Sequence, residues 1–206
     1  MANSVELVTA LAEIFGKSPM SVTNQMRYLR EAGMITKTGR GTSAARMNRE
    51  DAVTLLAAVM GSDQINDSEK VSKELLALPA SSPPVCQGDA PLQALPDVHT
   101  FGDGLLKLFA WIDEPGKIAL PHAAEFIRRQ RATPQMEVRV YYPKLAARIV
   151  LRIAELGSES WGYARGRPSR FDVDGTPPRS REVDLLQMRS CSERTIEKLS
   201  RVLASQ

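Results

Sequence analysis

The sequence has only two cysteines and two histidines in 206 residues, and it has no long apolar run. Cys86 lies in a Pro/Ser-rich stretch and Cys191 lies beside an expected helix start, far apart and without a Cys-x-x-Cys pair. This spacing suits neither a disulfide framework nor a zinc knuckle, so both are read as ordinary thiols. His99 and His122 have no acid or cysteine at a metal-ligand spacing, and a solvent or core role is expected for each. No apolar segment approaches the roughly 20 residues that span a bilayer. The N-terminal run SVELVTALAEIF is broken by Glu6 and Glu13, with no small-residue cleavage site behind it. It is not read as a signal peptide, and a cytoplasmic protein is expected. Gly-rich phosphate loops, serine elbows and paired-carboxylate motifs are also missing, and Asp172-Val-Asp174-Gly175 lacks the remaining ligands of a calcium loop. The expectation is therefore a protein that is not an enzyme and that holds no cofactor and no metal.

The residues present are those of a globular protein, 43% hydrophobic and 25% charged, enough for a packed core in each half. The net charge of +3 is small, but its distribution is uneven. Between Lys17 and Arg49 there are seven basic residues (Lys17, Arg27, Arg30, Lys37, Arg40, Arg46 and Arg49) against one acid, Glu31. Residues 63 to 100 carry six acids and two lysines, and residues 101 to 206 carry eighteen basic and thirteen acidic residues. Concentrated positive charge of this kind is the electrostatic footprint of a nucleic-acid-binding face.

Helical periodicity organises the first half. Asn3 or Ser4 caps a helix whose stripe is Leu7, Val8, Leu11, Ile14 and Phe15, with Glu6 at the capping-box position and Gly16 as its stop. Ser18 and Pro19 open a second helix with Val22, Met26 and Leu29 inward and Gly33 at its end. Met34 and Ile35 read as a short buried strand, and TKTGRGTSA has the residues of a hairpin tip. Asn48, with Asp51 in the first turn, begins a third helix that Gly61 ends. A fourth helix is expected from Asn66 to Pro79, with Val71, Leu75 and Leu78 inward.

PASSPPVCQGDAPLQALPDVHT, with five prolines, reads as a linker. Beyond it, FGDGLLKLFAWIDE and PHAAEFIRRQ have helical patterns. MEVRVYY and AARIVLRIA suggest an antiparallel hairpin turning at PKL, although the second run also suits a helix. Residues 157 to 180 read as a long loop with a short strand around Trp161 to Ala164. SERTIEKLSRVLAS is a final helix with Ile196, Leu199 and Leu203 inward and a Glu197 to Arg201 pair outside. Its faint echo of SPMSVTNQMRYL is weaker ground for a second helix-turn-helix than for a packing helix.

With Val22, Met26 and Leu29 inward, Ser21, Asn24, Arg27 and Tyr28 point outward from the first turns of the second helix. Asn can read adenine and Arg can read guanine, while Ser and Tyr commonly contact phosphate. Lys37, Arg40 and Arg46 flank Gly39 and Gly41, so that loop can approach a DNA backbone closely. Arg30 and Glu31 are read as a solvated face. Arg165, Arg167 and Arg170 beside Trp161 and Tyr163 suit a second backbone contact or a solvated loop equally.

LAEIFGKSPMSVTNQMRYLREAGMITKTGRG resembles the core of bacterial winged helix-turn-helix regulators. That pattern is an LA-containing helix, a turn, a helix with Val near its start, a Leu-x-x-x-Gly ending, and an apolar strand leading to a glycine-rich wing. Leu11, Ala12, Gly16, Ser18, Val22, Leu29, Gly33, Met34 and Ile35 match in order and spacing, and the likeness covers about the first 60 residues. It implies DNA recognition by Ser21, Thr23, Asn24, Arg27 and Tyr28 and a wing role for Lys37, Arg40 and Arg46. The family usually has one more helix before the LA helix; the helix from Asn48 to Met60, or a partner subunit, would then complete the core.

The chain is thus expected to be α+β. Residues 1–78 would form a winged helix-turn-helix DNA-binding domain with an extra helix, and 79–100 a Pro-rich linker. Residues 101–206 would form an α+β domain with an antiparallel hairpin, for oligomerisation or partner binding. The expected function is sequence-specific binding of double-stranded DNA by a bacterial or prophage transcriptional regulator. A homo-oligomer, preferably a dimer, is expected, with a further protein partner through the C-terminal domain and no membrane association. The alternatives are a DNA-packaging subunit like the phage small terminase and an interaction adaptor that does not bind DNA.

Overall fold

A computed structural model describes residues 4–37, 47–81, 84–87, 95–113, 135–142, 144–153, 157–165 and 187–204. In chain order the elements are α1 (Ser4–Phe15), α2 (Pro19–Glu31), α3 (Arg49–Gly61), a 3-10 turn (Ile65–Asp67), α4 (Ser68–Leu76), β1 (Val85–Gln87), α5 (Phe101–Asp113), β2 (Gln135–Tyr142), β3 (Ala146–Ile153), β4 (Gly157–Ala164), β5 (Gln187–Ser192) and α6 (Glu193–Ala204). The chain is α+β, with one antiparallel five-stranded sheet among the described residues. It divides into two compact units. One joins Met1–Leu76 to Arg194–Gln206, and the other is Ala77–Glu193.

The helical unit is built around α3, in which every residue from Asp51 to Gly61 is buried. A helix apolar on all sides has no solvent face and must be surrounded. Here α1, α2 and α4 all contact it. Leu55, Leu56, Ala57, Ala58 and Val59 are wholly inaccessible, and each large side chain among them contributes about 1.5–3 kcal/mol of burial free energy. Small residues set the approach of α4, since a Cβ on Gly61 would come within 2.7 Å of Val71 Cγ1. α6 belongs to this unit, where Lys198 Nζ bonds Glu13 Oε2 of α1 at 2.6 Å. Its pattern buries Ile196 and Leu199 and leaves Arg201 outside, 3.4 Å from Glu197. The last helix is therefore part of the helical unit rather than of the sheet unit that precedes it.

Two glycines turn the chain at helix ends. Gly16 (φ 61) and Gly33 (φ 74) take the left-handed conformation that side chains disfavour. After each, the next amide bonds the carbonyl five residues back, Lys17 to Ala12 at 3.0 Å and Met34 to Leu29 at 2.9 Å. This closes the Schellman arrangement and satisfies carbonyls that would otherwise be orphaned. The expected strand at Met34 and Ile35 is not formed. That segment is a bend with Ile35 buried, and the Thr36 amide bonds a side chain, Asp51 Oδ1, at 2.8 Å instead of a neighbouring strand. The hairpin tip, including Arg40 and Arg46, lies outside the described residues.

In the second unit the strand order is β1-β4-β3-β2-β5. MEVRVYY and AARIVLRIA pair as expected, and alternation decides their faces. Met136, Val138 and Val140 lie opposite Leu151, Ile149 and Ala147, and all six are buried. α5 covers this face, because a Cβ at Gly104 would lie 2.8 Å from both Ile149 Cδ1 and Tyr163 Oη. Two expectations change here. The short strand expected around Trp161 to Ala164 begins four residues earlier, at Gly157, as β4, fully paired with β3, because Glu159, Trp161 and Tyr163 alternate onto the covered face. The stretch read as a linker contributes β1 to the sheet edge. Ser81 N donates to Gly162 O at 2.8 Å, Ala164 N to Pro79 O at 3.3 Å and Ala80 N to His99 O at 3.0 Å. Proline removes a donor but is tolerated on an edge strand, so five prolines do not prevent this pairing.

His99 is a core histidine. Its Nδ1 lies 2.6 Å from the carbonyl of Pro96, which can only accept, so Nδ1 carries the hydrogen and Nε2 accepts from Tyr163 Oη at 2.8 Å. Burial holds the Tyr163 phenol far above its ordinary range, and the anion of Asp103 adds to this. Asp103 and Thr100 close a reciprocal cap on α5, with both contacts from Thr100 at 2.8 Å. The expected helix over PHAAEFIRRQ and the Asp172 to Gly175 stretch fall outside the described residues.

Two tests follow from these contacts. Asp51→Ala removes one half of the α3 capping box and takes the side-chain acceptor from the Asn48 and Thr36 amides, so chemical denaturation should show a loss of about 1–3 kcal/mol. Both cysteines are free, Cys86 exposed on the β1 edge and Cys191 buried on β5 at the other edge. Burial pushes the Cys191 thiol up to about 12, so it stays protonated. Burial and the nearby Glu159 carboxylate raise Cys86 as well, which slows it without shielding it. Iodoacetamide at mildly alkaline pH should thus add one label to the native protein, at Cys86, and two in denaturant, as read by mass spectrometry.

Candidate nucleic-acid interface

The sequence of α2 separates its two faces cleanly. Val22, Gln25, Met26 and Leu29 are buried, and Gln25 Nε2 reaches the α3 carbonyl of Ala58 at 3.4 Å. Ser18 caps the helix with its side chain accepting from Ser21 N at 3.2 Å, and Pro19 occupies a first-turn position where no amide hydrogen is needed.

On the opposite side Thr23 and Arg27 are exposed, while Ser21, Asn24 and Tyr28 are half-buried. The structure therefore brings five of the eight sequence-predicted residues onto one helix. Thr23 Oγ1 donates to Pro19 O at 2.8 Å and keeps its lone pairs for an incoming donor. Arg27 lies over the Tyr28 ring at 5.5 Å from the centroid, with its Nε 3.8 Å from Glu31 Oε1. An exposed pair at that distance is weak and does not prevent Arg27 from turning to another anion. Lys37 is exposed, whereas Arg40 and Arg46 lie outside the described residues.

Not all of the positive charge counted along the sequence belongs to this surface. Lys17 Nζ bonds the carbonyls of Val59 and Ser62 at 3.0 and 3.1 Å, a cation placed on the negative end of α3. Arg30 is half-buried rather than solvated, and its Nε and Nη2 are sealed from water without hydrogen-bond partners among the described residues. Burial lowers its pKa, and the nearby Asp51 charge acts in the opposite sense. Asp51 lies just past the window in which seven bases face one acid, so the sequence count overstates the free charge.

Asp51 also governs the base of the expected wing. Its Oδ1 accepts from Thr36 N at 2.8 Å and its Oδ2 from Asn48 N at 3.0 Å. One carboxylate thus holds the chain on both sides of the segment that carries Arg40 and Arg46. Sequence reasoning placed Asp51 only as a first-turn acid. It also passed over Met20, which is 68% exposed at the start of α2, although its position off the Val22, Met26, Leu29 stripe signals an outward side chain.

The other basic stretch changes character. Trp161 and Tyr163 are buried in the sheet core and are unavailable to stack on bases. Arg165 is exposed, and Arg167 and Arg170 lie outside the described residues. Among the described residues no group of three or more His, Cys, Asp or Glu side chains could hold a metal ion, and no helix is long and apolar enough to cross a membrane. Comparisons with protein-family models, curated proteins and solved structures found no match to this chain.

The placement of Lys17 separates fold from surface. Lys17→Met should lower stability by about 1–2 kcal/mol, through the lost contacts to the α3 carbonyls, and leave the α2 surface intact. Thermal denaturation and an NMR comparison of Thr23, Asn24 and Arg27 would check both halves.

Proposed function

We propose that the protein binds double-stranded DNA sequence-specifically through α2, as a transcriptional regulator of bacterial or prophage type with a winged helix-turn-helix at its N-terminus. The observation that carries this reading is the outward set Ser21, Thr23, Asn24, Arg27 and Tyr28 on a helix whose other face is fixed to α3. A reading helix needs both, because base-edge hydrogen bonds discriminate only when the donors are held in register. Asn24 suits adenine and Arg27 suits guanine, while Met20 adds an apolar contact of the kind that thymine methyl groups accept. Support for the wing comes from Asp51, which holds Thr36 and Asn48, the positions that flank Lys37, Arg40 and Arg46 in the sequence, and these three are proposed as its phosphate contacts.

One such helix reads only a few base pairs, so two copies in a homodimer are proposed, each reading a half-site. The sheet unit is assigned to oligomerisation or to a protein partner, and the protein to the cytoplasm. A ring-sized solution mass would point instead to the packaging-subunit reading, and a failure to bind any DNA to the adaptor reading.

Binding to fragmented genomic DNA, followed by sequencing, tests the proposal. The wild type should enrich a common motif with affinity that falls steeply as salt rises, because each neutralised phosphate releases counterions. The double variant Asn24→Ala, Arg27→Ala should lose about tenfold or more at the motif, the scale of one or two base-edge contacts. Unchanged enrichment in that variant refutes the assignment to α2.

A further inference from the structure

The second face of the sheet, opposite the one that α5 covers, has a different composition. Alternation places Glu137, Arg139 and Tyr141 of β2, Arg148 and Arg152 of β3 and Ser160 of β4 on it. Arg139 and Arg148 are directly opposed across the β2–β3 ladder. Like charges in that position repel and destabilise a sheet unless something compensates them.

Compensation is found for one of the two. Arg139 makes a two-pronged contact with Glu137, Nε to Oε1 at 2.7 Å and Nη2 to Oε2 at 2.8 Å. Arg148 is half-buried, and its Nη2 donates to Ser160 Oγ at 3.0 Å, a neutral partner. Among the described residues no carboxylate lies within ion-pair distance of it. Burial lowers its pKa, and the charges of Arg139 and Arg152 act in the same direction, partly offset by Glu137 and Tyr141. Among the described residues of this face, three guanidinium groups thus meet one carboxylate that is already engaged. A partly desolvated guanidinium with a single neutral hydrogen bond leaves most of its five donors for an anion, and planar donors suit oxyanions well.

We propose that this face binds a phosphate-class oxyanion, with Arg148 as the principal donor, Ser160 orienting it, and Arg139 and Arg152 adding charge. The excess of two positive charges among the described residues of this face, Arg139, Arg148 and Arg152 against Glu137, matches a phosphate dianion better than a single carboxylate. The phosphate can belong to a small phosphorylated compound or to a nucleic-acid backbone, and the site is separate from α2.

The test uses the full-length protein in the Asn24→Ala, Arg27→Ala background, so that binding through α2 does not contribute. Inorganic phosphate is titrated at constant ionic strength, with thermal stability and Arg Nε–H NMR shifts as readouts. A saturable rise in the melting temperature is expected, together with a shift of the Arg148 resonance. Arg148→Gln should weaken binding by at least about tenfold, the factor carried by one charge-assisted hydrogen bond, and Lys107→Gln on α5 should leave it unchanged. If Arg148→Gln does not fold, Ser160→Ala keeps the charge and should weaken binding by about threefold, the scale of one neutral hydrogen bond. A short DNA duplex and glycerol phosphate then compete separately. Displacement by the duplex assigns the phosphate to nucleic acid, and displacement by glycerol phosphate alone assigns it to a small compound. No saturable response, or the same response in the variants as in the parent, overturns the proposal.

Discussion

Asp51 connects three parts of the helical unit at once. Its carboxylate closes the cap of α3 with Asn48, accepts the amide of Thr36 where the chain leaves α2, and lies close enough to Arg30 to influence its charge. It is 3% exposed, and a buried carboxylate is costly unless its lone pairs are filled, as the two backbone amides do here. The orientation of α2 against α3, and the positions at which the intervening segment departs and returns, both follow from satisfying this one group. The burial of α3 on all sides reinforces the constraint, because a helix without a solvent face cannot rotate to accommodate a poorly placed neighbour.

That constraint explains how a short helix can hold a surface steady. α2 gives four residues to the core and receives in return a fixed outer row of Thr23, Asn24, Arg27 and Tyr28. Nearby charges divide between support and surface. Lys17 terminates α3 and Arg30 sits beside Asp51, whereas Arg27 and Lys37 remain outside. A basic sequence segment is therefore not the same as a basic face, and only those cations without a structural task count toward long-range attraction.

The helices were readable from sequence because their signals are local. Ser18 with Pro19, Asn48 with Asp51, and the glycines at 16 and 33 act within a turn of their own positions. The hairpin of β2 and β3 was legible for the same reason, as alternation and a short connection suffice. What escaped depends on distant partners. Gly157 to Ser160, with a glycine and two serines, reads as a loop before the short strand at Trp161 until β3 supplies its hydrogen bonds. The prolines around Cys86 conceal an edge strand that exists only because β4 lies beside it. Helical spacing finds Ser21, Asn24, Arg27 and Tyr28 on the outside of α2 and the family resemblance adds Thr23, while the part played by Asp51 needs Thr36, fifteen positions away, to come close.

Because α6 belongs with α1 to α4, the sheet unit is inserted into the helical unit rather than appended to it. In the order of synthesis α1 to α4 precede the sheet unit, and the helix that completes their unit follows it. Closing a unit across such a sequence separation is slow, and the early helices wait with apolar surface uncovered. A message cut within the sheet unit would thus release a chain in which α2 is fully encoded but the unit that supports it has never closed.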